Sequence, residues 1–328
     1  MNEHSRTALV AAIGGTYFSL AIADIDELTI SNFALLSSAD FEKPTDAIQR
    51  YLSSVPRCPD KVGVAVTGQV SAQMARMDVR PWTFSARDIM AVTGAEHVHM
   101  VSDLEALALM LPHLSSYDAV TVKDGMPALH GTRVAINAGT TLGVAALVQG
   151  ATEAVPVVGL AGRAGFRLEL AGEFDPAAGG HKLLLDQVLT GRGLVSLYHR
   201  LAERRGVAPS AAGARAIVAQ GLAREDETAI EALELMAGWL GRYAADMALT
   251  LNATGGIYLS GGLAANLLPL ISGRHFLDEL EAGIGEQLGE VSVRVVKTGA
   301  DTGLRGAALA LAKSLPARPS LRRATLAG

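Results

Sequence analysis

Cysteine is almost missing from this chain: Cys58 is the only one in 328 residues. That excludes an internal disulfide and any multi-cysteine zinc site, and it fits a reducing, cytoplasmic setting. An excess of positive charge is also missing. The formal net charge is −5, which argues against a nucleic-acid binder held by phosphate contacts. The start, MNEHSRTALV, has neither the basic first region nor the apolar second region of a secretory signal. No apolar run reaches the roughly 18 uninterrupted residues of a membrane helix. No secretion, membrane span or nucleic-acid partner is therefore expected. With a first strand starting by residue 7, a DNA-binding repressor with an N-terminal helix-turn-helix is not expected either.

What is abundant is apolar surface and glycine. The hydrophobic fraction is 49%, the charged fraction 19%, and there are 35 glycines. A chain of this length and composition can fill two domain cores, and many sharp turns or close backbone approaches are expected. Residues 7–13, 17–24 and 28–37 read as three consecutive strands. KPTDAIQRYLSS reads as a helix, VGVAVTG (62–68) as a buried strand and SARDIMAVTG (85–94) as a short helix. In that helix Ser85 would be the N-cap, with Asp88 three residues on. HVHMVS (97–102) is another strand, and Asp103 opens the helix DLEALALMLP.

The pattern then recurs. RVAINAGTTLGVAALVQ (133–149) is again strand, Gly-Thr turn, strand, as ALVAAIGGTYFSLAIAD is at the start. Two such openings suggest two domains of like topology. Helices are expected over 180–189, 193–205, 211–221 and about 224–250. In the last, Ile230, Leu233, Met236, Leu240, Tyr243, Met247 and Leu251 step by three and four. Strands over 256–262 and 291–296 and a helix over 301–313 close the fold. The tail SLPARPSLRRATLAG reads as a solvated end.

Several residues could carry chemistry. Turns of Gly and Thr can aim backbone N–H groups and a hydroxyl at phosphate oxygens. Gly15 and Gly139 permit positive φ and close approach, and Thr16 and Thr140 add a donor. Either turn alone would also serve as an ordinary hairpin; the pair points to a phosphate clamp. Gly261-Gly262, read at the end of an apolar strand, would let a flat ligand lie against the backbone. Asp103 ends a strand where α/β ligand clefts open. It suits an N-cap, or a general base taking the proton of a hydroxyl that attacks a γ-phosphate. His97 and His99 share a strand face but have no evident third metal ligand. Glu105 and Glu173 read as surface charges.

Taken together, AIGGT, PWTFS, VSDLEALALMLP, AGTTLGVAALV, VLTGRGLVSLY, GGIYLSGGLAANLL and TGLRGAALAL resemble the bacterial glucokinase family of actin-like, hexokinase-type ATPases. The likeness runs over nearly the whole chain. It implies two actin-like (ribonuclease H-like) α/β domains with a cleft between them, closing over sugar and ATP. The small domain would be residues 1–108 plus about 305–328, and the large domain 109–304. It further implies ATP and Mg²⁺ as cofactors, a sugar substrate and a homodimer. Transferred position by position, Asp103 matches the catalytic base. Gly14, Gly15, Thr16, Gly139, Thr140 and Thr141 match the phosphate loops, and Gly261 and Gly262 the adenosine loop. Ser102, Asp103, Gly159, Arg163 and Asp186 match sugar-side positions.

The departures cluster at metal and sugar. Where the family's first loop has an Asp that helps place magnesium, this chain has Ala12, so no metal ligand is assigned. Ser102 and Val79 replace asparagines. A Gly-Glu-Gly-Gly-His segment becomes Gly159-Leu160-Ala161-Gly162-Arg163, and the last sugar-binding Glu becomes Asp186. Each hydrogen-bonding partner removed from a polar site costs roughly 1–3 kcal/mol. Two readings follow. One is a kinase for glucose or another hydroxylic substrate, with Arg163 offering a fork to an acidic sugar and Asp301 a further acid for the metal. The other is a degraded kinase that binds nucleotide or sugar without turnover and acts as a sensor or partner protein.

Overall fold

The computed structural model describes residues 6–56, 58–77, 80–166, 183–297 and 299–316. The chain forms two compact units. One comprises the chain up to Ala106 and from Gly303 onward; the other is Leu107–Thr302.

The first unit opens with β1 (Thr7–Ile13), β2 (Tyr17–Asp24) and β3 (Ile30–Ser37), an antiparallel meander. Helix α1 (Pro44–Leu52) leads to β4 (Lys61–Val66), which adds in parallel to β1. Three short strands follow: β5 (Gln69–Ser71), β6 (Met74–Arg76) and β7 (Thr83–Ser85). Then come α2 (Ala86–Thr93), β8 (His97–Ser102) and α3 (Asp103–Met110). The main sheet runs β3-β2-β1-β4-β8, and β5-β6-β7 form a small sheet of their own. β1 is apolar on both faces because it is covered on both. Leu9, Ala11 and Ile13 join Phe18, Ile48 and Ile89 in one core. Ala8 and Val10 meet Leu304, Ala308 and Leu311 of the closing helix, Ala300–Ser314, in another. Gly63 lets that helix close in, since a Cβ on it would lie 2.6 Å from the Ala307 carbonyl oxygen.

The second unit repeats the plan. β9 (Ala119–Lys123), β10 (Arg133–Ala138), β11 (Leu142–Gln149) and β12 (Ala154–Gly159) precede α4 (Leu185–Val188), α5 (Gly191–Arg205), α6 (Ala214–Leu222) and α7 (Glu227–Leu251). After these come β13 (Ile257–Ser260), α8 (Gly261–Asn266), α9 (Leu268–Ile271), α10 (Arg274–Ile284) and β14 (Val293–Val296), and the closing helix is α11. Its sheet runs β12-β11-β10-β13-β14-β9. An antiparallel meander is again extended by two parallel strands, here with antiparallel β9 on the far edge. Helix α7 is launched by Asp226, whose Oδ1 accepts from the Thr228 and Ala229 amides at 2.8 and 3.0 Å.

Some elements differ from the sequence reading. The third strand starts at Ile30 rather than residue 28, because Leu28 takes φ 54°. The strand expected to reach residue 262 stops at Ser260, because Gly261 turns to φ +91°. The helix expected over 180–189 is, among the described residues, only Leu185–Val188. β5–β7, β9 and β12 escaped notice. The first three are three residues each, too short to show a period, and β12 carries Pro156 and is an edge strand. No helix among the described residues is long and apolar enough to cross a membrane.

Candidate active site

The first Gly-Gly-Thr turn joins β1 to β2. The Gly14 amide donates to the Tyr17 carbonyl at 3.0 Å. Every carbonyl of the turn is claimed from outside it. Ser38 Oγ donates to Gly14 O at 2.9 Å, Arg80 Nε to Gly15 O at 3.1 Å, and the Ser38 amide to Thr16 O at 2.9 Å. Among the described residues the Gly15 and Thr16 amides have no acceptor. A turn whose carbonyls are tied back and whose N–H groups stay open is built for an anion. The permitted positive φ is not used: neither Gly15 nor Gly139 lies in the left-handed region.

Asp103 begins α3 at the end of β8. The expected alternative, Asp103 as N-cap, is corrected: Ser102 Oγ accepts from the Glu105 amide at 3.1 Å and does the capping. The Asp103 carboxylate accepts from the Leu104 amide at 2.9 Å and from the Thr67 hydroxyl. Strand β4 runs beside β8 with Val66 opposite Ser102, which brings Thr67 beside Asp103. Burial pushes the Asp103 carboxyl above its ordinary value, opposed by the Thr67 hydroxyl and the Leu104 amide. Glu105, expected at the surface, is half-buried, and burial raises it too.

Ala12 faces the closing helix: a Cβ on Gly303 would lie 3.2 Å from its methyl group. The position therefore offers a packed methyl and no oxygen. Asp301 is exposed in the first turn of α11. Among the described residues no three His, Cys, Asp or Glu side chains gather as a metal site. The residues around Ala12 do not fit a magnesium ion held by the protein. His97 bonds Ser314 Oγ at 3.0 Å through Nε2. His99 is held below its ordinary pKa by burial and by His97.

In the second unit, Gly139-Thr140-Thr141 joins β10 to β11. The Gly139 amide donates to Thr141 O at 3.2 Å, and the Gly191 amide donates to Gly139 O at 3.3 Å. The Thr140 and Thr141 amides have no acceptor among the described residues. Gly261 must be glycine: at φ +91° a Cβ would also clash with the Ala138 carbonyl and the Asn137 side chain. Gly262 faces open space. That space is a cavity of about 670 Å³ reaching from Gly139, Thr140 and Gly262 to Val195, Val218 and Leu263. Arg192, Ser196, Arg215 and Asn266 also line it, and the sequence reading named none of these four.

The positions in this unit that the resemblance assigns to the sugar side lie close together. Gly159 ends β12, paired with Val144. Leu160 is 70% exposed, and Arg163 is exposed at the end of a short 3₁₀ turn. Gly162 lies flat on the Asp186 carboxylate, which any Cβ there would strike. Asp186 Oδ1 accepts from the Leu142 amide at 2.5 Å, next to the second turn. Val79 and Glu173 fall outside the described residues. Ser38, Thr67 and Arg80 were missed as well; the one cue, for Arg80, is its place just before the PWTFS segment.

Comparison with known proteins agrees with this layout. The glucokinase family profile matches residues 9–314. Glucokinase of Sinorhizobium fredii is 30% identical over 272 residues, 80% of this chain and 79% of its own. Glucokinase of Nitrobacter hamburgensis is 29% identical over 299 residues, 84% of this chain and 88% of its own. A glucokinase crystal structure from an Antarctic psychrotroph superposes with TM-score 0.81 at 26% identity, over 94% of this chain and all of that one. A ROK family glucokinase from Streptomyces griseus, solved with glucose and AMPPNP, shares the fold at TM-score 0.63 and 18% identity, over 94% and 99% of the two chains. The two actin-like α/β units, the matched profile and these relatives lead to one conclusion: this chain belongs to the glucokinase family of sugar kinases.

Proposed function

We propose that this chain transfers the γ-phosphoryl group of ATP to a sugar hydroxyl. The observation that carries the reading is Asp103. The residue is half-buried, its carboxyl is desolvated, and the capping duty is handed to Ser102, which supports a role as a base. In the proposed step the sugar oxygen attacks the γ-phosphorus and its proton passes to Asp103. The bond to the β,γ-bridging oxygen breaks, and ADP leaves with that electron pair. The open amides of Gly15 and Thr16 in one unit, and of Thr140 and Thr141 in the other, would each receive phosphate oxygens. The cavity beside Gly262 would receive the adenosine.

The relatives' glucokinase names support glucose as the first substrate to try. Leu160 and Arg163 support a second, an acidic sugar whose carboxylate the guanidinium would clasp. Magnesium would come with ATP on the nucleotide's own oxygens, since Ala12 supplies none. Family likeness also supports a cytoplasmic homodimer, which ultracentrifugation would read as twice the 34.1 kDa chain mass.

ADP release over a panel of neutral and acidic sugars tests the reading. The expected result is turnover on at least one sugar, abolished by Asp103→Asn. Nucleotide binding without turnover on any of them would leave only the nucleotide-binding sensor. If Arg163 selects the acid, Leu160→Glu with Arg163→His shifts preference toward glucose. Unchanged selectivity removes Arg163 from the substrate contacts.

A further inference from the structure

The first phosphate turn has lost its carboxylate at Ala12, yet it has an unassigned cation. Arg80 lies 65 residues away in sequence, and its Nε donates to the Gly15 carbonyl at 3.1 Å. Its guanidinium carbon lies 5.0 Å from the centroid of the Trp82 ring, within cation–π range. Trp82 in turn packs on Phe18 at 5.5 Å between ring centroids, and Phe18 is buried in β2 directly after the turn. The backbone is equally constrained. Pro81 keeps Arg80 out of the helical region, and the Trp82 amide closes onto the Arg80 carbonyl at 2.7 Å.

This arrangement spends one of the five guanidinium N–H donors. The two terminal nitrogens have no acceptor among the described residues. A half-buried arginine fixed on two sides at the Gly15 carbonyl, with its fork unpaired among the described residues, is a receptor for a tetrahedral oxyanion. We propose that Arg80 binds a phosphoryl oxygen at the Gly14-Gly15-Thr16 turn. There its positive charge would do part of the work of the magnesium ion that the family resemblance expects an Asp to help place and that Ala12 cannot. The assignment rests on the kinase reading for its role in turnover, but not for the binding itself.

The test uses the full chain with Arg80→Met, Arg80→Lys, Ala12→Asp and the Arg80→Met/Ala12→Asp double variant. One arm is calorimetry with pyrophosphate in chelator, free of metal. Wild type binds, Arg80→Met loses about tenfold or more, and Arg80→Lys falls between. The other arm is ADP release under a magnesium titration. Arg80→Met lowers kcat by ~10²–10³, the size typical of removing one charge-stabilising donor, with the sugar KM within about threefold. Adding Ala12→Asp to Arg80→Met restores part of kcat and makes it steeply magnesium-dependent. Circular dichroism melting checks the fold. Should Arg80→Met melt early, Arg80→Gln, which retains a donor for Gly15 O, gives the same reading.

The two hypotheses fail separately. A wild type inactive on every sugar, whose pyrophosphate binding still needs Arg80, overturns the kinase reading and keeps this inference. An active wild type that Arg80→Met leaves unchanged in kcat and in pyrophosphate affinity overturns the inference and keeps the kinase. Wild type that does not bind pyrophosphate in chelator overturns the inference as well.

Discussion

At the residue scale, the proposed chemistry turns on one carboxyl and two glycines. Burial raises the Asp103 pKa, so the folded chain holds this proton to higher pH than the unfolded chain does. Ionising it therefore costs stability progressively as pH rises from the ordinary value of 3.8 through the raised one. Asp103→Asn removes that cost. Its melting temperature should gain on wild type between acidic and neutral pH, and a constant difference would refute the burial account. As a base, Asp103 must be ionised, so the acid limb of kcat/KM should lie above the ordinary aspartate range. The two glycines proposed for the adenosine loop should separate. Gly261→Ala meets both a left-handed backbone and a clash, and it should cost on the order of 1–3 kcal/mol in chemical denaturation. Gly262→Ala adds a methyl to open space. It should melt like wild type while raising the ATP KM several-fold. The place of Asp103 at a strand end and both Gly-Thr turns between paired strands were legible because they reside in residue type and local order. Ser38, Thr67 and Arg80 were not, because each acts through a contact with a distant part of the chain. Ser38 is 24 residues from Gly14 and Arg80 is 65 from Gly15.

At the scale of elements, helix ends and one close crossing set the stability. Burial pulls the Asp226 carboxyl up, but the Tyr198 hydroxyl, the Ala229 amide and Ser210 hold it below its ordinary value. A lowered carboxyl stabilises above its unfolded pKa and loses that contribution as pH falls through the folded one. Asp226→Ala should therefore cost about 1–2 kcal/mol at neutral pH, the usual worth of a cap, and less in acid. Equal costs at both would mean the ionised carboxylate is not what caps α7. Helix α11 presses on the start of α3, where a Cβ on Gly306 would strike the Ala106 carbonyl. Gly306→Ala should lower stability by roughly 1–3 kcal/mol through overpacking, whereas a surface change such as Lys313→Gln should not. The long helices showed in the sequence through their three-and-four spacing. The little sheet β5–β7 did not, because strands of three residues display no periodicity.

At the scale of the whole molecule, the first unit is assembled from both ends of the chain. Ala8, Val10, Ala21 and Ala23 are buried only together with Leu304, Ala308 and Leu311. Ending the chain at Thr302 should strip that face. Amides of β1 and β2 would lose hydrogen-exchange protection, while β10 and β13 keep it. Loss of protection in both sheets alike would show that the two units do not hold their structure separately. The duplication itself was readable, since a strand–turn–strand opening with Gly-Thr recurs and each copy heads a meander extended by parallel strands. The edge strands β9 and β12 were not, because β9 is five residues ending on Lys123 and β12 carries Pro156 in its middle, which argues against a strand.

Gly162 lies flat on Asp186 with no room for a Cβ, while Leu160 is 70% exposed and Arg163 is open to solvent. Divergence within this segment is thereby channelled. A lineage can exchange positions 160 and 163 with little penalty to folding, but position 162 is closed to it. A randomised library over the segment should return many residues at 160 and 163 among folded clones and almost only glycine at 162, so new sugar preferences would arise from the two flanking positions.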